Sequence, residues 1–315
     1  MSVQKEQTVF PGGASFAFTI LDDTDDATVA NVKPIYDLLY ELGFRTTKTV
    51  WPVACPEGSR LFFAGHTLEN PEYRAFVQEL ASRGFEIAFH GATMESSERS
   101  RTEQALDRFR NFFGHYPRLH CNHAQNRENL YWGSERYQHL PGRVLRLMEW
   151  ALGRRVHSAG HKPESPFFWG DWAIRHVEYV RNLAFRRLDV SRIYPGKPYQ
   201  LRSTPYVKHW FHSADAPDGR AFKNLVTKER VDQLEQRGGY SIVSTHLGKR
   251  FVTDGVVDPV VRERLEYIAS KSVWLVPASD LLDFLGTGRV NRVRMVGVEL
   301  HHLLDRLSAK IEKES

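Results

Sequence analysis

Cysteine is nearly absent from this chain: its 315 residues contain two, Cys55 and Cys121, with no Cys-x-x-Cys spacing. That excludes a disulfide-built scaffold and a cysteine-based zinc module, and favours a reducing compartment. No stretch approaches the roughly 18 consecutive apolar residues of a membrane-spanning helix. The opening Met1-Ser2-Val3-Gln4-Lys5-Glu6-Gln7 also lacks the apolar centre of a secretion signal. Both absences point to the cytoplasm. There is no run of five like charges, no low-complexity segment and no internal repeat, which excludes charged tails and solenoids. A net charge of +5 and a pI near 9.1 lean toward anionic substrates or surfaces. Without aromatic-and-basic RNA motifs or zinc-finger spacing, nucleic acid is not an expected partner.

Apolar and aromatic side chains are plentiful, at 41% and 12%, enough for the core of one large α/β domain or two smaller ones. The strand-like run Phe16 to Leu21 precedes a helical pattern from Val29 to Gly43, with Val32, Ile35, Leu38, Leu39 and Leu42 at helical spacing. Strands at Thr46–Val50, Phe85–Phe89 and Pro117–Cys121 then alternate with helices near Pro71–Arg83 and Glu98–Phe113. Such alternation predicts a parallel sheet covered by helices, either a barrel or an open doubly wound sheet, with function at the C-terminal strand ends. Residues from about 125 to 215 read as insertions and short antiparallel strands over the mouth. Alternation returns with a helix at Lys228–Arg237, a strand at Tyr240–Ser244, a helix at Pro259–Lys271 and the run Val273–Val276. The expected organisation is a catalytic barrel over 1–288 and a C-terminal amphipathic helix over 289–315. In that helix Val296, Leu300, Leu303, Leu304, Leu307 and Ile311 share a face, expected to pack on the chain's own core. Homodimerisation or a membrane surface are the alternatives.

Four strand ends carry the chemistry. Asp22, Asp23, Asp25 and Asp26 follow the first strand, and acids so close together need a cation or shared proton unless they merely cap the next helix. His90-Gly91 follows the third strand, His120-Cys121-Asn122-His123 the next, and Thr245-His246-Leu247 a late one. Asp and His suit Zn²⁺ or a similar divalent ion, which in a catalytic site takes about three protein ligands and leaves a place for water. A neighbouring carboxylate can then remove the water's proton.

The order and placement of these motifs resemble the NodB-type polysaccharide deacetylases of carbohydrate esterase family 4. The family's Thr-Phe-Asp-Asp-Gly motif looks like Ile20-Leu21-Asp22-Asp23-Thr24. The resemblance implies an irregular TIM-like (β/α) barrel, Asp22 as general base and Asp23 as metal ligand. It also implies His90 as the first ligand of a His-x-x-x-His motif whose second His falls on Met94, and His246 as general acid. Thioether sulfur is a poor ligand for such an ion, so the third ligand is sought among His123, Asp25 and Glu95, in that order. Leu119-His120-Cys121-Asn122-His123 departs from the family's Arg-Pro motif. Phe168-Trp169-Gly170-Asp171 and Tyr179-Val180-Arg181-Asn182 further resemble a WbmS-like branch associated with bacterial surface-polysaccharide gene clusters.

The implied reaction is hydrolysis of an N-acyl or O-acyl group from a sugar, with Zn, Co, Ni or Fe as cofactor and an acylated sugar or sugar-carrier as substrate. Trp169 and Asp171 are candidates for stacking on and hydrogen bonding a pyranose, although the aromatic segment reads equally well as a core plug. Arg181 suits an anionic group or a structural ion pair. The alternatives are a non-catalytic carbohydrate-binding protein on a degenerate barrel, and a glycosidase using Asp22 and Asp171.

Overall fold

The computed structural model describes residues 9–59, 64–151 and 158–314. Strands β1 (Phe16–Asp22), β2 (Thr47–Val50), β3 (Glu86–Phe89), β4 (Leu119–His120), β5 (Tyr179–Phe185), β6 (His209–Asp215) and β7 (Tyr240–Thr245) pair in chain order, all parallel. The β1–β7 pairing, from Ala17 opposite Tyr240 to Asp22 opposite Thr245, closes the ring into a seven-stranded barrel. β8 (Val252–Thr253) and β9 (Val256–Val257) form a small hairpin. β10 (Val273–Leu275) adds to the lower half of β1, whose upper end pairs β2.

The helices are α1 (Val29–Glu41), α2 (Pro71–Ser82), α3 (Arg99–Phe113), α4 (Leu140–Ala151), α5 (Gly170–His176), α6 (Gly219–Leu225), α7 (Lys228–Gln236), α8 (Pro259–Ala269), α9 (Ala278–Leu285) and α10 (Arg292–Glu314). Local sequence sets their starts. A reciprocal Thr28/Asn31 capping box opens α1, Asn70 caps α2 before Pro71, and Asp258 accepts from Val260 N and Val261 N before Pro259. The buried faces of α1 (Val32, Ile35, Tyr36, Leu38, Leu39) and α2 (Tyr73, Phe76, Val77, Leu80) cover the wholly buried β1 and β2.

The stretch 125–215, expected as insertions, supplies two barrel strands, β5 and β6. Arg181, Asn182, His212 and Ser213 interrupt any apolar run there, so the hydrophobic pattern of a parallel strand is broken by residues buried for other reasons. The C-terminal stripe also differs from expectation. α10 turns Met295, Glu299 and His302 inward, while Leu300 and Leu304 stay 49% and 62% exposed. Its inner face is fixed by hydrogen bonds: Glu299 accepts from Gln138 N and His139 N, and Tyr137 Oη meets His302 Nδ1 at 2.8 Å. The side chains of Leu307 and Ile311 lie outside the described residues.

Burial pushes His120 and His212 down to about 3, His302 to about 2, and His123 and His161 to about 4. These rings are neutral when folded, whereas an unfolded histidine takes a proton near pH 6.5. Their stabilisation is therefore complete above that pH and lost as pH falls, by about 1.4 kcal/mol per unit per ring. Burial raises the carboxyls of Glu86 and Glu128, and Asp25 and Asp23 raise His246; these act in the opposite sense but are fewer. The urea midpoint is expected to drop between about pH 7.5 and about pH 5.5; a rise would contradict this burial pattern.

Candidate metal centre and active site

Alternation along β1 decides which way the acids point. Asp22, the last residue of β1, is in register with Lys48 of β2, so the two side chains leave the sheet on the same face. Both are fully buried. Lys48 Nζ donates to Asp22 Oδ2 at 2.7 Å, Tyr36 Oη donates to the same oxygen at 2.8 Å, and Leu247 N donates to Oδ1 at 2.8 Å. With each oxygen already accepting and no exposed surface, the Asp22 carboxylate cannot reach a substrate water. The expected general base is placed in the wall between barrel and α1 instead.

Asp23 and Asp25, one alternation on, face the mouth. Asp23 Oδ2 is 2.7 Å from Arg181 Nη1, and its Oδ1 is 3.8 Å from His90 Nδ1. Burial opposes charge on Asp23, but Arg181, then His90 and His246, outweigh it and hold the carboxyl below the usual range. Arg181 also donates to Ser244 Oγ, so its guanidinium serves the site rather than a substrate anion. From β5 it reaches across the barrel to Asp23, the residue after β1.

Asp25 gathers three imidazoles. His90 Nε2 is 3.3 Å and His123 Nε2 3.5 Å from Asp25 Oδ1, while His246 Nε2 is 3.4 Å from Oδ2. Ligand-capable atoms of Asp25, His90 and His123 all lie within 4.8 Å of one another. Asp25 Oδ1, Asp23 Oδ1, His90 Nδ1 and His123 Nδ1 are buried without hydrogen-bond partners. Lone pairs converging in this way repel unless a proton or cation sits among them, and one carboxylate plus two imidazoles is a donor set that suits Zn²⁺ or a related ion. The residues fit a divalent metal. Asp25, rather than Asp23, joins His90 and His123 in this cluster.

The rest of the site supports that geometry. Trp51 lies against both rings, with centroids 5.9 Å from His90 and 5.1 Å from His123. Asn129, accepting from His123 N and donating to His123 O, fixes the loop carrying His123. His246 Nδ1 is 2.6 Å from the Pro217 carbonyl oxygen, which assigns the proton to Nδ1 and turns Nε2 toward Asp25. Burial lowers the His246 pKa, but the Asp25 bond and the Asp23 charge prevail and raise it. Lys249 Nζ, 3.4 Å from Asp25 Oδ2, adds a cation that sequence reasoning missed, as it missed Trp51.

Other expected residues go elsewhere. Met94 is buried and its Sδ accepts from Ala64 N. Glu95 is bonded by Ser59 Oγ and does not join the cluster. Trp169 is fully buried, its Nε1 donating to Glu128 O at 2.6 Å and its ring edge-on to His120 and Phe89. It is a core plug rather than a sugar platform. Asp171 pairs with both terminal nitrogens of Arg99, at 2.9 and 2.8 Å, and does not join the Asp25–His90–His123 cluster.

No family model matches the sequence, and no curated protein matches it in sequence. Among solved structures, the chain is similar to a candidate polysaccharide deacetylase from Mycobacterium smegmatis at 11% identity and TM-score 0.51, covering 91% of this chain and 97% of that one. It is also similar to the PuuE allantoinase at 12% identity and TM-score 0.50, covering 87% of this chain and 91% of the other. At these identities the fold is what is shared, and it is the barrel that the sequence motifs imply.

Two outcomes are expected. Lys48→Met should cost about 3–5 kcal/mol of unfolding free energy by leaving Asp22 buried and unpaired, with Asp22→Leu in the same chain recovering part of it; an unchanged urea midpoint in Lys48→Met would refute the wall role. Chelated protein should take up close to one equivalent of Zn²⁺ or Co²⁺ by elemental analysis. His90→Ala, His123→Ala and Asp25→Ala should each lose it, and retention in Asp25→Ala would return the third-ligand role to another residue.

Proposed function

We propose that the protein is a metal-dependent hydrolase that removes an acyl group from a sugar, most directly the acetyl of an N-acetylated amino sugar. The observation that carries this is the placement of Asp23 and His246 beside the Asp25–His90–His123 cluster at the C-terminal ends of β1, β3, β4 and β7. The fold's occurrence in a candidate polysaccharide deacetylase supports it, as do the motifs at Asp22–Asp25, His90 and Thr245-His246.

A divalent ion held by Asp25, His90 and His123 would polarise the acyl carbonyl and acidify water. The protein's own residues supply the rest. Asp23 accepts the proton of the attacking water, and Arg181 keeps Asp23 ionised and pointed at the site. Arg181 in turn donates to Ser244 of β7, two residues before the acid His246. His246, with Nδ1–H fixed on the Pro217 carbonyl, presents Nε2 to protonate the leaving amine or alcohol. The role given to Asp22 by motif alignment thus moves to Asp23, and that given to Asp23 moves to Asp25.

Met94 is the main argument for a non-catalytic reading, and its force is reduced because His123 joins Asp25 and His90 in a cluster with three candidate ligands. A surface-polysaccharide precursor is the substrate we favour, in keeping with the WbmS-like motifs. The test is acetate release from N-acetylglucosamine oligomers and nucleotide-linked N-acetyl sugars by metal-loaded protein. Asp23→Asn should lower kcat by about 10²–10⁴-fold while keeping its metal, and Trp169→Phe should leave KM unchanged. Full turnover in Asp23→Asn would refute the assignment of the base.

A further inference from the structure

Helix α4 is amphipathic the wrong way round. Leu140, Val144, Leu147 and Met148 fall at helical spacing on one face, and they are 63%, 51%, 64% and 55% exposed, with Trp150 beside them at 78%. The face turned to the protein is the polar one. Arg146 Nη1 donates to Ser134 O at 3.1 Å and to Tyr137 O at 3.0 Å, Glu149 is turned inward, and Gly142 sits so close that an added Cβ would meet Tyr137 O at 1.8 Å. The orientation is therefore fixed by backbone contact and hydrogen bonds that a half-turn rotation would break.

α10 packs beside α4 and repeats the pattern, with Val293, Leu300 and Leu304 exposed while Glu299 and His302 are buried. Large exposed apolar side chains of the described residues are concentrated on these two helices. Their charges are sorted as well. Arg143, Arg292, Arg294 and Arg306 are exposed, whereas Glu149 and Glu299 are turned inward and Asp305 is partly buried.

We propose that α4 and α10 form a docking surface for an anionic lipid membrane, with the apolar rows entering the interface and the arginines meeting lipid phosphates. Exposed apolar faces with a Trp and a rim of Arg are what an interfacial helix requires, and anionic lipid supplies negative charge to meet the exposed arginines of the described residues. A second copy of the chain fits less well, since a two-fold interface would set these arginines against one another. The inference stands apart from the proposed chemistry and goes beyond it: an enzyme docked here would meet a substrate carried on lipid.

The experiment is co-sedimentation of the full chain with phosphatidylcholine vesicles and with vesicles containing phosphatidylglycerol, at low and high salt. A Leu147→Glu/Trp150→Glu variant and an Arg143→Glu/Arg292→Glu variant are run beside it, with light scattering on each. Both pairs are exposed, so folding checked by circular dichroism should be unchanged. Binding to the anionic vesicles is expected, about tenfold or more weaker in either variant and released by salt. Equal binding to neutral vesicles, no binding to either, or wild-type binding by Leu147→Glu/Trp150→Glu would overturn it. So would a wild-type dimer that this variant breaks while no vesicle is bound, which would assign the face to a second copy.

Discussion

The buried pair Asp22–Lys48 is the constraint on which the site rests. An ion pair with both partners fully buried is tolerable only if its oxygens are answered, and here Tyr36 and Lys48 donate to Asp22 Oδ2 and the Leu247 amide to Oδ1. The pair joins β1 to β2 where they last run side by side, and the Leu247 bond draws the segment after β7 onto the same point. Its consequence lies one and three residues further on. With Asp22 committed to the wall, Asp23 and Asp25 face the mouth, and the chain between them is held by Asp23 N to Thr245 O and Thr24 N to Thr49 Oγ.

Inside the mouth, the division of work follows from charge. Asp23 has a cation of fixed charge, Arg181, and Asp25 has three imidazoles and Lys249. A carboxylate beside an arginine stays ionised and so free to accept a proton, the role proposed for Asp23, although the same cation lowers its basicity. A carboxylate at the focus of imidazole nitrogens, with one oxygen lacking any hydrogen bond, suits a ligand. The two proposed roles thus rest on partners brought from β5 on one side and from β3, β4 and β7 on the other.

Much of this was legible in the sequence, and the failures have identifiable causes. The parallel alternation, its first three βα steps with the fourth strand, and the strand ends bearing His90, His123 and His246 follow from periodicity and spacing, and the motif resemblance selects a barrel over an open sheet. The roles proposed for Asp23 and Asp25 differ from the motif alignment by a shift of register: an Asp-rich run offers several frames, and the partner of Asp22, a lysine buried in the next strand, favours one of them. Lys48 in an otherwise apolar and threonine-rich strand was the available signal. β5 and β6 were hidden because their buried residues are polar for reasons that lie far away in sequence, Arg181 for Asp23 and Asn182 for Tyr199. Trp169 and Asp171 have the composition of a sugar site, but Arg99 claims the carboxylate from 72 positions away and Glu128 claims the indole.

The most direct test of the central claim is the X-ray absorption spectrum of the zinc-loaded protein, compared with that of Asp25→Ala. Two imidazole nitrogens and at least one carboxylate oxygen in the wild-type spectrum, with loss of the bound ion in the variant, are what the account predicts. Zinc retained in Asp25→Ala with an unaltered coordination shell would contradict it.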